Sequence, residues 1–540
     1  MPHPLTYSTP WTELRDTPAF WQDLEQHVLP PYVNTCRWFA GKARHQTGFR
    51  AGSIFEFPAR DSVAYILILE ALYSDGPPEQ YLLPLSFVTH DQHDSPEIPA
   101  KGIVTVMHLD GVRGLLVDGI YDERFRASLY KHIAEQKNRT VDGGKLVFQR
   151  GRGLDAEDVH ATVSSRVLPV DSSNSAMVFA DKYFFKFYRK LFELTNPEVD
   201  MVAFITENSD FANIPAYAGS VTYAAGTTDI TLGMMQRMVA NEKDSWSQTG
   251  DYLNDFLYAV PKRQFAIRED VFDKVELLAK RTAEMHLALY APDSDPAFAP
   301  EPFTEEYRNF LIHRFTDLLD RRYALLVDNY NKLDAIGQKL AWVFMEAREM
   351  IEAFVEEFRT RPLESLRIRI HGDYHLGQVL ATRDDFIIID FEGEPESSIA
   401  DRKIKHSPLK DVAGMIRSYH YAVCAKIYYS AETETLAPDH LQRVSDRWFR
   451  LIRETYQDAY LDRIGMPHPL FRNNNEINFL LLVYLLEKAV YELGYEISYR
   501  PAWVKIPLKG IIDVIREIEK IRISDHGLND GVPMLQTSIL

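Results

Sequence analysis

The pattern of hydrophobic and polar residues changes along the chain. In its first part, apolar runs alternate with short polar stretches, as in AYILILEALY-SDGPPE-QYLLPLSFV, which predicts strands joined by turns. Further β-rich sequence follows as far as Met235. After Met238, apolar positions recur every three or four residues, as in VFDKVELLAKRTAEMHLALY, which predicts long amphipathic helices. We therefore predict three parts: a cap subdomain over residues 1–105, a β-rich lobe over 106–236 and a mainly helical lobe over 237–540.

Composition and charge exclude several classes of partner. A chain of 540 residues with 46% hydrophobic content can bury a large core and should fold as two or more domains. Its formal net charge of -18 argues against nucleic acid or an anionic membrane as the main partner. Two cysteines, Cys36 and Cys424, suit a reducing compartment. Because the N-terminus shows no secretion signal and the longest apolar run, FLLLVYLL, is short of the roughly 18 residues that cross a bilayer, we expect a cytoplasmic protein.

Two polar motifs interrupt apolar sequence in the helical lobe: IHGDYHLGQVL, residues 370–380, and FIIIDFEGE, residues 386–394. Asp373 and Gln378 are five residues apart, and Asp390 follows Asp373 by 17 residues at the end of a predicted strand. Kinases of the protein-kinase superfamily have a catalytic aspartate and an amide ligand at this spacing, then a strand ending in Asp-Phe. The pattern predicts phosphoryl transfer from ATP, with Asp373 as the base and Gln378 and Asp390 as Mg²⁺ ligands, glutamine standing in place of asparagine.

Each of these residues alone also fits a structural role. Asp373 could cap a turn, and Asp390 could pair with a nearby arginine. His371 and His375 could be metal ligands, but no further His or Cys pattern accompanies them, so bracing of the loop is the more common role. The joint spacing of the motif residues favours the kinase interpretation.

A kinase also needs a lysine that holds the α- and β-phosphates and is fixed by a carboxylate. In YFFKFYR, Lys186 is a charge among aromatic residues of a predicted strand, where a buried lysine needs a partner. The next segment, NPEVD, has Asn196 and Pro197 at a predicted helix start, followed by two acidic residues. We expect Asp200 to be the partner, with Glu198 as the second choice. The alternative is a lysine on the wet side of an edge strand.

A polar turn precedes the lysine strand by about ten residues. It contains Ser172, Ser173, Asn174 and Ser175, whose backbone N–H groups and hydroxyls could bind phosphate oxygens. The region has no G-x-G-x-x-G or Walker motif, which is a departure from protein kinases and P-loop proteins. The same residues also fit an ordinary solvated hairpin turn.

The sequence resembles the maltokinases, ATP-dependent enzymes that make maltose 1-phosphate. The similar motifs cover nearly the whole chain and include LPPYVNTCRWFAGK, SSNSAMVF, FFKFYRK, QRMVANEKDSW, HGDYHLGQ, IIIDFEGEP and ELGYEISYRPAWVKIPL. The resemblance implies an α+β fold, bilobal and like that of eukaryotic protein kinases and aminoglycoside phosphotransferases, with an additional N-terminal α+β cap. It also implies ATP and Mg²⁺ as cofactors, maltose as substrate, a place in trehalose and glycogen metabolism, and association with a trehalose synthase. By position it supports the roles given to Asp373, Gln378, Asp390 and Lys186, and adds Gln236 and Met238 to the nucleotide site.

The resemblance also points to a C-terminal helix with the sequence EKAVYELGYE. Lys488, Tyr491 and Tyr495 are spaced i, i+3 and i+7 and therefore share one helical face. Tyrosine rings pack on sugar C–H faces and lysine donates to sugar oxygens, so the trio suits a disaccharide. The alternative is an amphipathic helix that packs its aromatic residues into the lobe. In SPLKD, Ser407 and Pro408 fit a helix start, and Asp411 is expected to brace the catalytic loop.

Two other functions remain open at this point. One is a related kinase for glucosamine, an aminoglycoside or choline, for which carboxylates opposite the base would be expected. The other is a nucleotide-binding module that supports a trehalose synthase without catalysis. The competent residues at every catalytic position argue against the second.

Overall fold

The computed structural model describes residues 4–89, 98–169, 173–260, 267–429 and 437–526. The chain divides into two compact units, Met1–Val239 and Ala240–Leu540. The division lies three residues beyond the lobe boundary expected after residue 236. The first unit holds the two large sheets and the second holds most of the helices.

The first sheet of the N-terminal unit belongs to the cap. Its strands are β1 (Leu5–Tyr7), β2 (Gln46–Ala59), β3 (Ser62–Tyr73), β4 (Glu79–Thr89), β5 (Ile103–Leu109) and β6 (Val112–Asp118). They lie in the order β1-β5-β6-β4-β3-β2 and are antiparallel except for the β1–β5 pair. Two short helices, α1 (Pro18–Asp23) and α2 (Leu29–Thr35), precede β2.

The second sheet of this unit is the β-rich lobe. Its strands are β7 (Arg139–Val141), β8 (Gly144–Arg150), β9 (Ser165–Val167), β10 (Ser175–Phe179), β11 (Tyr183–Phe187), β13 (Tyr217–Ala225) and β14 (Thr228–Arg237), with the two-residue β12 (Lys190–Leu191) between β11 and β13 in the chain. The sheet order is β7-β8-β13-β14-β11-β10-β9. Helices α3 (Glu123–Ala134) and α4 (Pro197–Asn208) complete the unit. The predicted hairpin of SAMVFA and YFFKFYR is the antiparallel pair β10–β11.

The cap sheet is buried on both faces. Side chains point alternately to its two faces along each strand, and both sets pack against other elements. On one face, Phe55 and Phe57 of β2 join a core with α3 and the second sheet. On the other face, Leu67 and Leu69 of β3 pack with the N-terminal helices. The cap and the β-rich lobe are therefore parts of one compact unit.

The predicted end of the cap at residue 105 is corrected by this sheet. Residue 105 lies inside β5, and the sheet continues through β6 to Asp118. In addition, β12 pairs with β4 of the cap although it comes from the lobe. The polar stretch before β5 had the composition of a domain linker, whereas the chain returns after it to the same sheet.

The C-terminal unit is mainly helical, as predicted. Its helices are α5 (Ser245–Ala259), α6 (Glu269–Leu289), α7 (Glu305–Asn329), α8 (Ala335–Glu346), α9 (Arg348–Glu356), α10 (Ile399–Arg402), α11 (Leu409–Tyr429), α12 (Pro438–Ile464), α13 (Asn474–Tyr499) and α14 (Lys505–His526). Short strands pair as β15 (Lys243–Asp244), β18 (Val379–Ala381) and β19 (Phe386–Ile388) in one sheet, and as β16 (Glu301–Pro302) with β17 (Leu366–Arg367) in another. Within the described residues, none of the helices combines the length and apolar character that a bilayer crossing requires.

Candidate active site

The predicted catalytic loop lies in the C-terminal unit between β17 and β18. From Ile370 it has no regular secondary structure, bends at Gly372 and Asp373, and ends in a short 3-10 turn, Leu376–Gln378. His375 accepts a hydrogen bond through Nδ1 from the backbone N–H of Gly377 at 3.0 Å. His371 donates through Nε2 to the carbonyl of Ile389 at 2.9 Å. Both histidines therefore brace the loop, as the sequence suggested.

A buried carboxylate also holds the backbone of this loop. Asp411 of α11 accepts hydrogen bonds from the backbone N–H groups of His371, at 2.8 Å, and Gly372, at 2.9 Å. His286 of α6 lies 3.1 Å from the same carboxylate. Burial favours a raised pKa for Asp411, but the contact with His286 and the backbone donors outweighs it and lowers the pKa. Asp411 thus has the bracing position expected from the sequence.

The two expected Mg²⁺ ligands are in contact. Gln378 donates through Nε2 to Oδ2 of Asp390 at 3.1 Å. Asp390 follows β19 with a φ of +66°, which turns the chain sharply at the end of the strand. The loops meet closely, since a Cβ on Gly372 would lie 3.2 Å from the Cα of Gly393. Only glycine permits this approach, because both positions also have positive φ.

This pair has the chemistry of a magnesium site. Mg²⁺ prefers carboxylate and amide oxygens, and Gln378 turns its amide nitrogen to Asp390, which leaves its amide oxygen available. Carboxylate oxygens of Asp390 and Glu392 also lie within 4.8 Å of each other. Glu392 was not among the predicted ligands, although it stands only two residues after Asp390 in the motif.

The predicted base has a lysine as its neighbour. Lys488 of α13 donates through Nζ to Oδ1 of Asp373 at 3.0 Å, and both side chains are about four-fifths buried. Burial favours a lower pKa for Lys488, but attraction to Asp373 and Glu394 outweighs it and raises the pKa. Lys488 therefore holds Asp373 in place, a contact that the expected sugar-binding role did not include.

The C-terminal unit contains a cavity of about 330 Å³ beside this pair. Gly372 and Tyr374, which flank Asp373, line it together with Lys488 and Tyr491. Tyr495 is 42% exposed and packs on Tyr499 at a ring distance of 4.9 Å, and it is not among the cavity-lining residues in the described part of the chain. The structure thus brings two of the three predicted sugar-binding residues together. Tyr495 lies beyond them towards the end of α13.

Four charged side chains form one wall of the cavity. Arg314 of α7 donates to Glu394 at 2.9 Å and to Glu487 of α13 at 3.3 Å. Lys410 of α11 lies 3.4 Å from Glu487 and 3.8 Å from Glu394. Burial favours a raised pKa for Glu394, but Lys410, Lys488 and Arg314 lower it to about 2. We call Arg314, Glu394, Lys410 and Glu487 the charge square; in it, each carboxylate is neutralised by two cations.

In the N-terminal unit, the predicted phosphate-binding lysine is paired with a carboxylate. Lys186 of β11 donates to Oε2 of Glu198 at 2.9 Å, and Glu198 also accepts from the hydroxyl of Tyr188. The expected preference for Asp200 was wrong. Residues 198 and 200 are separated by about 200° around a helix, and Asp200 accepts instead from Thr195 at 3.2 Å. The second choice, Glu198, is buried at the first turn of α4, whose N-cap is Asn196.

The polar turn before β10 is tied to a buried arginine. Ser175 accepts through Oγ from Nε of Arg189 at 2.8 Å, and Asn174 accepts from the backbone N–H of Arg189 at 3.3 Å. Arg189 in turn binds Asp118 of the cap at 2.5 Å. Ser173 belongs to the same turn, and Ser172 lies outside the described residues. Phosphate binding by the turn stays a prediction, and two of its polar side chains already have partners in the protein.

Two further residues of the expected nucleotide site lie at the end of β14. Gln236 pairs in register with Phe184 of β11 and Tyr217 of β13. Met238 donates its backbone N–H to the carbonyl of Lys182 at 2.8 Å and is 40% exposed. Their role in nucleotide binding stays a prediction.

Part of the N-terminal unit is similar in sequence to a known protein family. Residues 32–122 match the family model described as the maltokinase N-terminal cap domain. Residues 32–122 are thus similar to the cap of maltokinases. This match confirms the resemblance seen in the sequence and runs past residue 105, in agreement with the cap sheet that ends at Asp118.

Curated relatives match the chain over a longer range. The glucosamine kinase of Streptacidiphilus jiangxiensis is 22% identical over 358 residues, which cover 65% of this chain and 74% of that protein. The glucosamine kinase of Mycolicibacterium smegmatis is 27% identical over 351 residues, which cover 63% and 77%. These matches agree with the enzyme class predicted from the sequence, an ATP-dependent phosphotransferase that acts on a sugar.

The fold is shared with a solved structure. A glucosamine kinase in complex with glucosamine, ADP and inorganic phosphate aligns with a TM-score of 0.63 over 94% of this chain and 100% of that chain, at 18% identity. The predicted fold class, protein-kinase-like with an additional N-terminal cap, is confirmed.

Proposed function

We propose that this protein is a maltokinase that transfers the γ-phosphate of ATP to the anomeric hydroxyl of maltose. The observation that carries the proposal is the arrangement around Asp373: Lys488 holds the carboxylate, and Gln378 and Asp390 are in contact in the adjoining loops. Beside this group is a cavity of about 330 Å³, a size typical of small-molecule sites. The maltokinase cap supports maltose as the acceptor.

In the proposed reaction, Asp373 accepts a hydrogen bond from the anomeric hydroxyl and orients it for in-line attack on the γ-phosphate. Lys488 keeps the carboxylate in the orientation that this requires. Gln378 and Asp390 would hold magnesium, which when bound neutralises charge on the phosphates. Lys186, fixed by Glu198, would bind the α- and β-phosphates. Asp411 keeps the loop backbone in place by accepting hydrogen bonds from two of its N–H groups.

The charge square disfavours an amine acceptor at its own wall, although Glu396 and Asp401 also line the cavity. An ammonium group bound at this wall would need a carboxylate without a cation. Glu394 and Glu487 are each already neutralised by Arg314 and Lys410, so they offer an ammonium group little net attraction. A neutral sugar, by contrast, can accept and donate hydrogen bonds along the same wall.

The second candidate is a glucosamine kinase, because both curated relatives carry that name. Their identity of 22% and 27% leaves the acceptor open. A non-catalytic module is disfavoured because competent residues occupy every predicted catalytic position. Association with a trehalose synthase, and with it a place in glycogen synthesis, is part of the proposal on the resemblance alone, and co-purification of the two proteins tests it.

The test of the proposal is a panel of acceptors. ADP release is measured with maltose, glucose, glucosamine, trehalose and no sugar, at saturating Mg-ATP. We expect release that depends on maltose, with kcat/KM for maltose at least about tenfold above that for glucosamine, the difference that one lost favourable ion pair or hydrogen bond produces. Equal rates with and without maltose, or a preference for glucosamine, would reject maltose as the acceptor.

A further inference from the structure

The cavity beside Asp373 has an outer wall for which neither the predicted site nor the comparisons name a role. We propose that Arg322 binds the second, non-reacting ring of the acceptor and thereby selects a disaccharide over a monosaccharide. This inference rests on the proposed function and adds to it the residue that sets acceptor length.

Arg322 belongs to a face of α7 that lines the cavity. Arg314, Leu318, Arg321 and Arg322 recur at helical spacing along this face. The guanidinium of Arg314 is occupied by the two carboxylates of the charge square. Arg322 lies two turns further along the helix, away from those carboxylates.

A glycine of α13 fixes the position of Arg322. A methyl group on Gly494 would overlap the guanidinium of Arg322, so the arginine can cross the helix only because residue 494 has no side chain. This crossing places Cζ of Arg322 6.0 Å from the centre of the Tyr491 ring. The guanidinium and the ring therefore form one corner of the cavity.

Arg322 packs Nε of its guanidinium against α13 at this corner. Among the residues that the structure describes, none accepts a hydrogen bond from this buried Nε. Because Nε is shielded by Gly494, a ligand in the cavity would meet the terminal nitrogens of the guanidinium, which are also hydrogen-bond donors. A sugar hydroxyl is a suitable acceptor, and the Tyr491 ring next to it offers a flat face for sugar C–H groups.

The position of Gly494 along α13 indicates that this corner contacts the second ring of the acceptor. Lys488 contacts the base, and Gly494 stands six residues later on the helix. At 1.5 Å per residue, Gly494 lies about 9 Å further along the axis. Because the reacting hydroxyl must lie at Asp373, Arg322 is too distant for the reacting ring and within reach of a ring linked to it.

The experiment compares three variants with maltose and glucose as acceptors. Arg322→Met removes the donor, Gly494→Ala displaces it while Arg322 is still present, and Arg450→Met is the control, an exposed arginine of α12 that is not among the cavity-lining residues in the described part of the chain. We expect the first two to raise KM for maltose about 10- to 100-fold, the loss of one charged hydrogen bond, with kcat within about twofold. Glucose kinetics of all variants and maltose kinetics of the Arg450→Met control should change by less than about twofold.

Other outcomes have clear meanings. Thermal unfolding of each variant shows whether it is folded, and agreement between two different changes at one corner separates a local effect from misfolding. Equal losses for maltose and glucose, or unchanged KM for maltose in both Arg322→Met and Gly494→Ala, would overturn the role of Arg322. A wild-type enzyme that phosphorylates glucosamine but not maltose would instead reject the proposed function, and the inference with it.

Discussion

At the scale of single residues, the environment of Asp373 explains how one carboxylate can orient an acceptor. Its Oδ1 is bound by Lys488, so the second oxygen, Oδ2, can face the acceptor hydroxyl. His375 lies 4.0 Å from Oδ2, and burial lowers the pKa of this histidine, so it stays neutral at neutral pH. Among the described residues, the carboxylate is thus held by the cation Lys488, and the other neighbour, His375, is neutral.

This arrangement predicts the effect of Asp373→Asn. The amide keeps the shape of the side chain but cannot accept the hydroxyl proton, so kcat should fall by about 10² to 10⁴. Nucleotide affinity should stay within about threefold, because the variant leaves Lys186, Gln378 and Asp390 intact. Single-turnover ADP formation and calorimetric titration with ADP measure the two effects. An Asn variant with near-normal turnover would remove Asp373 from the role of base.

A second prediction at this scale concerns the metal. Gln378→Ala removes an oxygen ligand and the contact with Asp390, so the Mg²⁺ concentration for half-maximal activity should rise about 10- to 100-fold. Gln378→Asn keeps the amide on a shorter side chain and is the matched control, with a smaller rise expected. Magnesium titration of the initial rate measures this. Superimposable titration curves for the Ala variant and the wild type would rule out Gln378 as a ligand.

Sequence spacing predicted some residues of the site and missed others for a physical reason. Asp373, Gln378 and Asp390 lie in two segments close in sequence, so their spacing carries information about their geometry. The choice between Glu198 and Asp200 depended instead on the rotation of α4 about its axis. The sequence motif gives no information about that rotation of the helix.

At the scale of elements, β12 and the cap sheet are joined by a carboxylate on β4. Glu79 accepts from Lys190 of β12 at 2.7 Å, from the hydroxyl of Tyr73 on β3 at 2.9 Å and from that of Tyr81 at 2.7 Å. Burial favours a raised pKa for Glu79, but these hydrogen bonds lower it to about 2. One side chain therefore connects three strands.

The lowered pKa predicts how stability depends on pH. The ordinary pKa of a glutamate is 4.5, so the contribution of ionised Glu79 to the free energy of unfolding is complete above that pH and is lost as pH falls towards 2. Glu79→Gln cannot ionise. The difference in urea midpoint between wild type and variant should therefore be largest near pH 6 to 7 and shrink by pH 3. A difference that is constant across this range would contradict the linkage.

Element types followed from the sequence more reliably than domain limits did. The alternation in AYILILEALY predicted β3, and the apolar repeat in VFDKVELLAKRTAEMHLALY predicted α6. The limit of the cap was missed because β5 and β6 re-enter its sheet after a polar stretch. Strand pairing across such a stretch is a long-range property, whereas composition is local.

At the scale of the whole chain, charge pairs between residues far apart in sequence form the parts of the structure that the sequence pattern did not predict. Arg189 joins the polar turn before β10 to Asp118 of the cap, and both side chains of this pair are almost fully buried. The charge square likewise assembles residues from α7, the loop after β19, α11 and α13. Their sequence separations of up to 173 residues explain why the acceptor wall was not predicted.

The central claim is that Asp373 directs the γ-phosphate of ATP to the anomeric hydroxyl of maltose. It is tested most directly by incubating the enzyme with Mg-ATP and either maltose or methyl α-maltoside, in which that hydroxyl is blocked, and identifying the product by phosphorus and carbon NMR. We predict one ADP for each maltose 1-phosphate and no reaction with methyl α-maltoside. Phosphorylation of methyl α-maltoside at a rate similar to maltose, or a phosphate attached to any carbon other than C1, would contradict the account.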